Sequence, residues 1–208
     1  LPNLSSCMSP QSMVGSLAKR TIPEELGVAP ENVKVVSIMP CTAKKYEAQR
    51  SELSRDGEPL VDHVLTTAEL GLMIQEAGIR FAELKPDSLD LPMGLSSGAG
   101  VIFGNSGGVA EAVVRYLGAG PRGRVSGGSS AAPIELEALR GEKGVKAATL
   151  ELEGEQVRIA VVQGIANAKR LARDVREEKV EFDLIEVMTC PGGCIGGAGQ
   201  PVSFDTEI

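Results

Sequence analysis

The chain has one histidine and four cysteines in 208 residues, no stripe of basic side chains and no long uninterrupted apolar run. Each scarcity excludes something. With a net charge of −7 and no basic stripe to neutralise phosphates, a nucleic-acid partner is not expected. Charges interrupt every apolar stretch before the roughly 18 residues needed to span a bilayer, so no membrane span is expected. The opening Leu1-Pro2-Asn3-Leu4-Ser5-Ser6 has neither a basic n-region nor an initiator methionine. That predicts no signal peptide, a cytoplasmic location, and a fragment or processed product. The single histidine, His63, precedes a helical pattern and is assigned no role, as a solvated residue or a cap. Four cysteines allow three disulfide pairings, but a chain of this length buries a core without staples. Reduced thiols used for chemistry or metal are therefore expected. Hydrophobic content of 42% with 24% charged residues is ordinary for a globular protein of one or two domains.

What the chain does have is a dense cysteine–glycine stretch, Glu186-Val187-Met188-Thr189-Cys190-Pro191-Gly192-Gly193-Cys194-Ile195-Gly196-Gly197-Ala198-Gly199-Gln200-Pro201. The apolar run Phe182–Met188 reads as a buried strand that delivers Cys190 at its C-terminal tip. Pro191 suits the first turn of a helix, and the glycines let backbone N–H groups approach a bound anionic group. A second strand, Val33–Met39, is stopped by Pro40 and leaves Cys41 in the same position. The segment Thr42–Ala48 reads as a helix with Lys44 and Lys45 in its first turn. There they oppose the macrodipole by roughly 0.3–1 kcal/mol each. Either both side chains reach water or an anion sits beside them.

Elsewhere, Gln11–Arg20 has the spacing of an amphipathic helix with Ser9 as N-cap and Pro10 at the first position, and Pro23–Leu26 resembles a brief acidic helix start. A helix is expected over Asp62–Gly78, capped by Thr66 or Thr67. The glycine-dense loop Ser96–Gly108 feeds the helical pattern Val109, Val113, Val114, Leu117. It lacks the Gly-Lys-Ser/Thr ending of a phosphate-binding loop, so it is either a cradle for an anion or cluster or a close helix crossing. Gly118–Pro133 reads as an exposed connector. Strands are expected at Val145–Leu152 and Gln156–Val162, turned by Glu153-Gly154-Glu155, and a helix over Gly164–Glu178 with Ile165, Ala168, Leu171, Ala172 and Val175 on one face. The fold class is α/β: partly parallel sheets flanked by helices, two-lobed, with the site at the C-terminal ends of strands. A parallel arrangement of the two cysteine-bearing strands would bring Cys41, Cys190 and Cys194 together. Soft thiolates select zinc, copper(I) or iron–sulfur clusters. Zinc sites want paired cysteine spacings, and only one pair exists here, whereas iron–sulfur clusters tolerate distant cysteines but want four. Either Cys7 completes the set or the fourth ligand lies outside the chain.

At these residues the sequence resembles the catalytic, H-cluster-binding domain of [FeFe]-hydrogenases. Met39-Pro40-Cys41-Thr42-Ala43-Lys44-Lys45-Tyr46-Glu47 matches that family's MPCxxKxxE signature. The stretch 186–201 matches ExMxCxxGCxxGGGQP, with Ala198 replacing the middle glycine. Segments at Ser6–Gln11, Thr66–Leu70, Ser97–Gly108 and Gly164–Lys169 are similar too. The resemblance implies that residues 1–208 are part of an H-cluster domain. Cys41, Cys190 and Cys194 would hold a [4Fe–4S] cubane with a fourth cysteine from a TSCCP signature that this chain does not contain. Cys194 would bridge to a two-iron subcluster carrying CO, cyanide and a dithiolate. It further implies Lys44 facing a cyanide, Glu47 as a proton relay, Met39, Met188 and Phe103 packed around the two-iron unit, and Pro10, Gln11 and Gly104 lining the diatomic ligands. Cys7 is not a ligand position of the family. The implied function is reversible H2 oxidation and proton reduction. The implied partners are the remainder of the hydrogenase chain and an electron carrier such as ferredoxin or NAD(P)-linked subunits, and the chain alone is expected to be inactive. The alternatives are a non-catalytic iron–sulfur assembly or hydrogen-sensing relative and, behind it, a zinc-stabilised interaction module. Lys44 and Glu47 argue against an assembly factor, because a plain cubane scaffold needs neither.

Overall fold

A computed structural model describes residues 3–92, 94, 98–118, 137–138, 144–152 and 155–202. The chain divides into two compact units, residues 1–94 with 198–208, and residues 95–197.

In the first unit, α1 (Pro10–Leu26) starts as its sequence dictates. Ser9 is the N-cap, its Oγ accepting from the Ser12 N–H at 3.5 Å, and Pro10 fills the first helical position where no donor is needed. The helix does not stop at Arg20. It runs through Pro23 and absorbs the segment expected to form a separate helix, ending where Gly27 turns left-handed at φ 63°. α1 lies directly on residues 60–61: a Cβ on Gly15 would overlap the Leu60 carbonyl oxygen and stand 2.8 Å from Val61 Cγ2. Ala18, Leu60, Val61 and Val64 are the buried apolar core.

β1 (Val36–Met39) is three residues shorter than expected. The Val33 N–H closes a turn on Pro30 O, and the Val35 N–H is taken by Asp62 Oδ2 at 2.7 Å rather than by a strand. After β1 come α2 (Ala43–Ala48) and a hairpin, β2 (Ser54–Arg55) with β3 (Glu58–Pro59). Its two-residue turn is Asp56-Gly57, both at positive φ, the Asp-Gly signature of a type I′ turn. β4 (His63–Thr66) then runs parallel to β1, pairing Val36 with His63 through to Met39 with Thr66. This corrects the helix expected to begin at Asp62. Val64 and Leu65 satisfy helical spacing, but β1 requires a partner, and a capping box sets the start of α3 (Thr67–Glu76) five residues later. Thr66 Oγ1 accepts from the Glu69 N–H at 3.2 Å, and Glu69 Oε2 accepts from the Thr66 N–H at 2.8 Å. The C-terminal residues return to this unit, where the Gly199 N–H donates to Pro40 O and Gly199 O accepts from Ala68 N–H, both at 3.0 Å.

The second unit opens with α4 (Gly98–Ile102) and α5 (Gly108–Gly118) and contains one sheet. Its strands are β5 (Glu137–Ala138), β6 (Val145–Leu152), β7 (Glu155–Gln163) and β8 (Leu184–Met188), hydrogen-bonded in that order. β5, β6 and β7 are antiparallel neighbours. β8 is parallel to β7, reached through α6 (Ile165–Arg176). The sequence of β7 is apolar on both sides because both faces are covered. Ile159 and Val161 pack with Ala110 of α5 and Leu184, while Ala160 and Val162 pack with Val145, Leu171 and Ile185. The strands and helix expected after residue 144 are found with ends shifted by at most two residues, which is ordinary for such boundaries. The expected turn at 153–154, the connector at 119–133 and the loop start at 96–97 lie outside the described residues.

The contact at Gly15 gives a direct test. Gly15→Ala should lower unfolding stability by about 1–3 kcal/mol through overpacking, measured by urea denaturation. Gly71→Ala, on an open face of α3 with nothing within 4 Å, should be neutral or stabilise by about 0.5–1 kcal/mol.

Candidate functional site

In the first unit the site residues gather where β1 ends and α2 begins. Met39, Pro40 and Cys41 are half-buried, and the Cys41 thiol is free. Thr42 occupies the cap position of α2 without a side-chain bond, so Lys44 and Lys45 do face an uncompensated helix start. The anion they call for is supplied by the protein. Lys44 Nζ donates to Glu47 Oε2 one turn away, and Lys45 Nζ pairs with Glu69 Oε1 at 2.7 Å. Glu47 Oε1 also accepts from the hydroxyls of Ser9 and Ser12, at 2.8 Å for Ser12, at the N-terminus of α1. Gln11, buried beside them, donates from Nε2 to Lys44 O at 3.4 Å and accepts from Ser37 Oγ at 2.8 Å. The structure thus brings Gln11, Lys44 and Glu47 into one network, with Pro10 adjacent in sequence. Ser9, Ser12 and Ser37 were not singled out as site residues. Lys44-x-x-Glu47 is legible as an i,i+3 pair, but no local pattern announces hydroxyls that reach it from 35 and 38 residues away.

Burial pushes the Glu47 carboxyl up, but hydrogen bonds from Lys44, Ser9 and Ser12 together with the Lys44 charge outweigh it and hold the group below its ordinary value of 4.5. Glu69, bonded to Lys45 and to the Thr66 N–H, is lowered to about 2. Cys7 is exposed, with its N–H on Ser5 Oγ at 3.1 Å, and has no part in this network.

In the second unit two loops are stitched together backbone to backbone. The Ser106 N–H donates to Gly192 O and the Ile195 N–H to Gly104 O, each at 3.0 Å. Such an approach leaves no room for a side chain: a Cβ on Gly193, which adopts φ 102°, would lie 2.5 Å from Ser106 N and 2.6 Å from Gly104 O. Cys190 is half-buried and Cys194 exposed, and neither is in a disulfide. The Gly193 N–H closes on Cys190 O at 3.2 Å, and Cys194 opens a single 3₁₀ turn to Gly196 where a helix from Pro191 was anticipated. Phe103 and Gly104 belong to the facing loop, and Met188 O accepts from the Gly164 N–H at 2.7 Å. Phe103, Gly104, Cys190 and Cys194 therefore share one loop pair. It is fixed by Glu186 of β8, whose buried carboxylate accepts from Gly107 N–H at 2.6 Å, just before α5, and from Ala110 N–H at 2.8 Å in its first turn. Glu186 entered the sequence reading only as a motif letter.

The parallel pairing anticipated between the two cysteine-bearing strands is not made. β1 pairs with β4 and β8 with β7, each taking the parallel neighbour within its own unit. Cys41 belongs to the first unit, and Cys190 and Cys194 to the second. Among the described residues no three histidine, cysteine, aspartate or glutamate side chains are grouped as a metal site. The donor set is thus thiols alone, at the ends of two strands. Beside the thiol loop, the buried Ser106 hydroxyl has no hydrogen-bond partner among the described residues. Soft sulfur donors with a spare hydroxyl donor fit an iron–sulfur group, which takes thiolate ligands and accepts hydrogen bonds at sulfide.

Residues 1–198 match the family model of the iron-only hydrogenase large subunit, C-terminal domain. The chain belongs to the iron-only hydrogenase family. It is 44% identical over 202 residues to the periplasmic [Fe] hydrogenase large subunit of Nitratidesulfovibrio vulgaris, covering 97% of this chain and 47% of that one. A solved structure of a variant of the [FeFe]-hydrogenase HydA1 from Chlamydomonas reinhardtii superposes with a TM-score of 0.80 at 33% identity, over 99% of this chain and 58% of that one. More distant is the cytosolic iron-sulfur assembly component 3 of Mus musculus, 34% identical over 220 residues, covering all of this chain and 44% of that protein. The chain spans about half the length of these relatives. The H-cluster is the hydrogenase family's cofactor. No helix among the described residues is long and apolar enough to cross a membrane.

Two outcomes follow for this hydrogenase-family chain. Glu186→Gln turns one acceptor into a donor facing an N–H, so it should cost about 1–3 kcal/mol of stability and speed amide exchange at Gly107 and Ala110. For Glu47, a folded pKa below the unfolded one means a contribution to stability that is complete above about pH 4.5 and lost as pH falls through the folded value. Acid titration monitored by amide exchange should therefore loosen the start of α1 and α2 below about pH 4.5, and Glu47→Gln should remove that transition.

Proposed function

We propose that this chain is the cluster-binding part of an [FeFe]-hydrogenase, an iron–sulfur oxidoreductase that interconverts H2 with protons and electrons. The observation that carries this reading is the clamp on Lys44. An ammonium three residues beyond Cys41 is held in place by Glu47, which is itself held by Ser9 and Ser12. A scaffold that only stores a cubane has no use for a cation fixed so firmly.

Cys41, Cys190 and Cys194 would hold the [4Fe–4S] part of the cluster, Cys194 shared with the two-iron part, and the fourth cysteine would come from the remainder of the hydrogenase polypeptide. When bound, the cluster supplies the redox-active iron at which H2 is split heterolytically. The chain's own residues bind, orient and exclude water. Lys44 has three N–H donors and commits one to Glu47, which leaves others for an anionic diatomic ligand. Met39, Met188 and Phe103 supply apolar cover. Pro10 and Gln11 of the first unit and Gly104 of the second would line the small ligands, and Ile195 so crowds Gly104 that a Cβ there would stand 2.9 Å from it. Glu47 is assigned to holding Lys44 rather than to relaying protons. A relay must change protonation near the working pH, whereas this carboxylate is held ionised by a cation and two hydroxyls. Electrons would pass to a carrier such as a ferredoxin or an NAD(P)-linked subunit.

One observation favours a second reading, as an iron–sulfur assembly factor: the likeness to the mouse assembly component extends over the entire chain. The test is the hydrogenase polypeptide carrying this chain, matured anaerobically and examined by infrared spectroscopy and H2 assay. CO and cyanide bands with H2 turnover are expected. Lys44→Ala should lower turnover by about 10²–10³-fold, as loss of a fixed donor does elsewhere, and shift the cyanide bands. Iron and sulfide without diatomic bands would favour the assembly reading, and zinc without iron would sink both.

A further inference from the structure

Asp56 is the only aspartate or asparagine in the chain that a glycine follows. The pair forms the turn between β2 and β3, and Asp56 stands at φ 54°, in the left-handed region where a side chain is strained. Its carboxylate is 92% exposed, and Arg55 Nε, its ion-pair partner, stands off at 3.6 Å. An exposed pair of that kind holds the group weakly. Gly57 brings the nucleophile. Its N–H donates to no backbone acceptor among the described residues, and nothing lies within 4 Å of where a Cβ would be. A backbone nitrogen with no side chain beside it and no hydrogen bond to break is open to ring closure with the preceding carboxyl. Closure requires the turn to open, and little holds it shut. The ladder is two residue pairs, closed at its base by the Leu60 N–H on Leu53 O at 3.1 Å. Other candidate pairs lack these features. The Ser88 N–H is taken by Asp87 Oδ1 at 2.7 Å, and the Ser106 N–H, after Asn105, by Gly192 O at 3.0 Å.

We propose that Asp56-Gly57 is a covalent modification site, where the backbone isomerises through a succinimide to an isoaspartyl linkage that an S-adenosylmethionine-dependent carboxyl methyltransferase recognises. The Gly57 nitrogen bonds to Asp56 Cγ, a carboxyl oxygen leaves as water with the amide proton, and a five-membered imide closes. Water then opens the imide. Attack at Cγ restores aspartate, whereas attack at the main-chain carbonyl breaks the original peptide bond and leaves the chain running through Cβ and Cγ. One water leaves and one enters, and no oxidant or reductant takes part. The freed α-carboxylate then takes the methyl group of the sulfonium, giving a methyl ester and S-adenosylhomocysteine. The isoaspartyl product does not fit the hairpin. A type I′ turn accommodates two residues of ordinary backbone length, and the new linkage inserts one more methylene between residues 56 and 57. Pairing of Ser54 with Pro59 and of Arg55 with Glu58 is therefore lost. The loss reaches beyond the turn, because Lys19 of α1 donates to Pro59 O at 2.5 Å and Lys34 stands 3.9 Å from Glu58. Arg55, Asp56 and Glu58 also line a cavity of about 410 Å³ together with Lys19 and Leu60. Isomerisation thus loosens the hairpin's hold on α1, whatever reaction the chain serves.

The test uses the full chain, stored folded for several weeks at neutral pH and physiological temperature, then treated with a protein isoaspartyl methyltransferase and labelled S-adenosylmethionine. The expected result is methyl label that grows with storage time and maps, after digestion, to the peptide carrying residues 56 and 57. In the stored chain the Leu60 amide should exchange at least about tenfold faster than in the fresh chain, because its bond to Leu53 O closes the hairpin. Asp56→Glu, whose longer side chain cannot close a five-membered ring, should take up no label there and keep the fresh exchange rate on storage. Asp56→Asn, which expels ammonia instead of water, should gain label faster than the native chain. The proposal is overturned if the folded chain takes up no label, if the label lies on another peptide, or if Asp56→Glu labels equally. It is equally overturned if residue 56 is methylated while Leu60 exchanges as in the fresh chain, since the hairpin then tolerates the linkage.

Discussion

A carboxylate withdrawn from water persists only where donors are aimed at it, and each unit of this chain has one: Glu186, buried, in the second and Glu47, partly buried, in the first. In the second unit Glu186 collects the Gly107 and Ala110 N–H groups and so pins β8 to the start of α5. The loops on either side of that joint, 103–107 and 190–196, then meet backbone to backbone, at a distance that excludes a side chain from Gly193. In the first unit Glu47 collects Lys44, Ser9 and Ser12 and so pins α2 to the start of α1. Both joints use the same physics: the first turn of a helix has unsatisfied donors, and a carboxylate arriving from another element satisfies them or their cap. Neither joint requires a cluster, so the protein side of the site is organised by protein interactions.

Much of this was legible in the sequence, and the failures have identifiable causes. Ser9-Pro10 and Thr66-x-x-Glu69 are local signals, and the caps they encode are present. Cys41 and Cys190 each follow a strand, as Pro40 and the apolar run before Met188 indicate. What periodicity could not settle was residues 63–66, where His-Val-Leu-Thr fits the start of a helix as well as a strand. Pairing with β1 decides it, and pairing is not local information. Pro23 misled in the opposite direction: a proline within a helix costs one hydrogen bond, and α1 tolerates the loss near its C-terminal end. The short hairpin of β2 and β3 was not anticipated, although Asp56-Gly57 is the turn signature between its strands. The strand partners were misjudged because similar ends, a thiol after a strand, do not determine which strands are neighbours.

The lysines at the start of α2 show how a local anomaly separates into two answers. Both looked as though they awaited an anion. Lys45 meets Glu69, an exposed pair of the kind that contributes little, since exposed ion pairs are screened and entropically costly. Lys44 meets a carboxylate that is two-point anchored by hydroxyls and only about one-fifth exposed, so its position is defined where that of Lys45 is merely favoured. The difference is not visible in Lys44-Lys45 as a dipeptide. It comes from Ser9 and Ser12, which makes α1 a part of the site although only Pro10 and Gln11 of that helix resemble family positions.

The open strand β1 connects these arguments. Cys41 and the Lys44 clamp both follow directly from its C-terminal end, so whatever orders β1 orders them. Among the described residues, a four-residue strand with one partner and one bare apolar face has little to hold it beyond the bonds to β4 and the core under α1. A ligand that binds only the native state adds stability in proportion to RT ln(1 + [L]/Kd). A cluster bound at its tip would therefore stabilise β1 itself, because only the ordered strand presents Cys41 and the Lys44 clamp together.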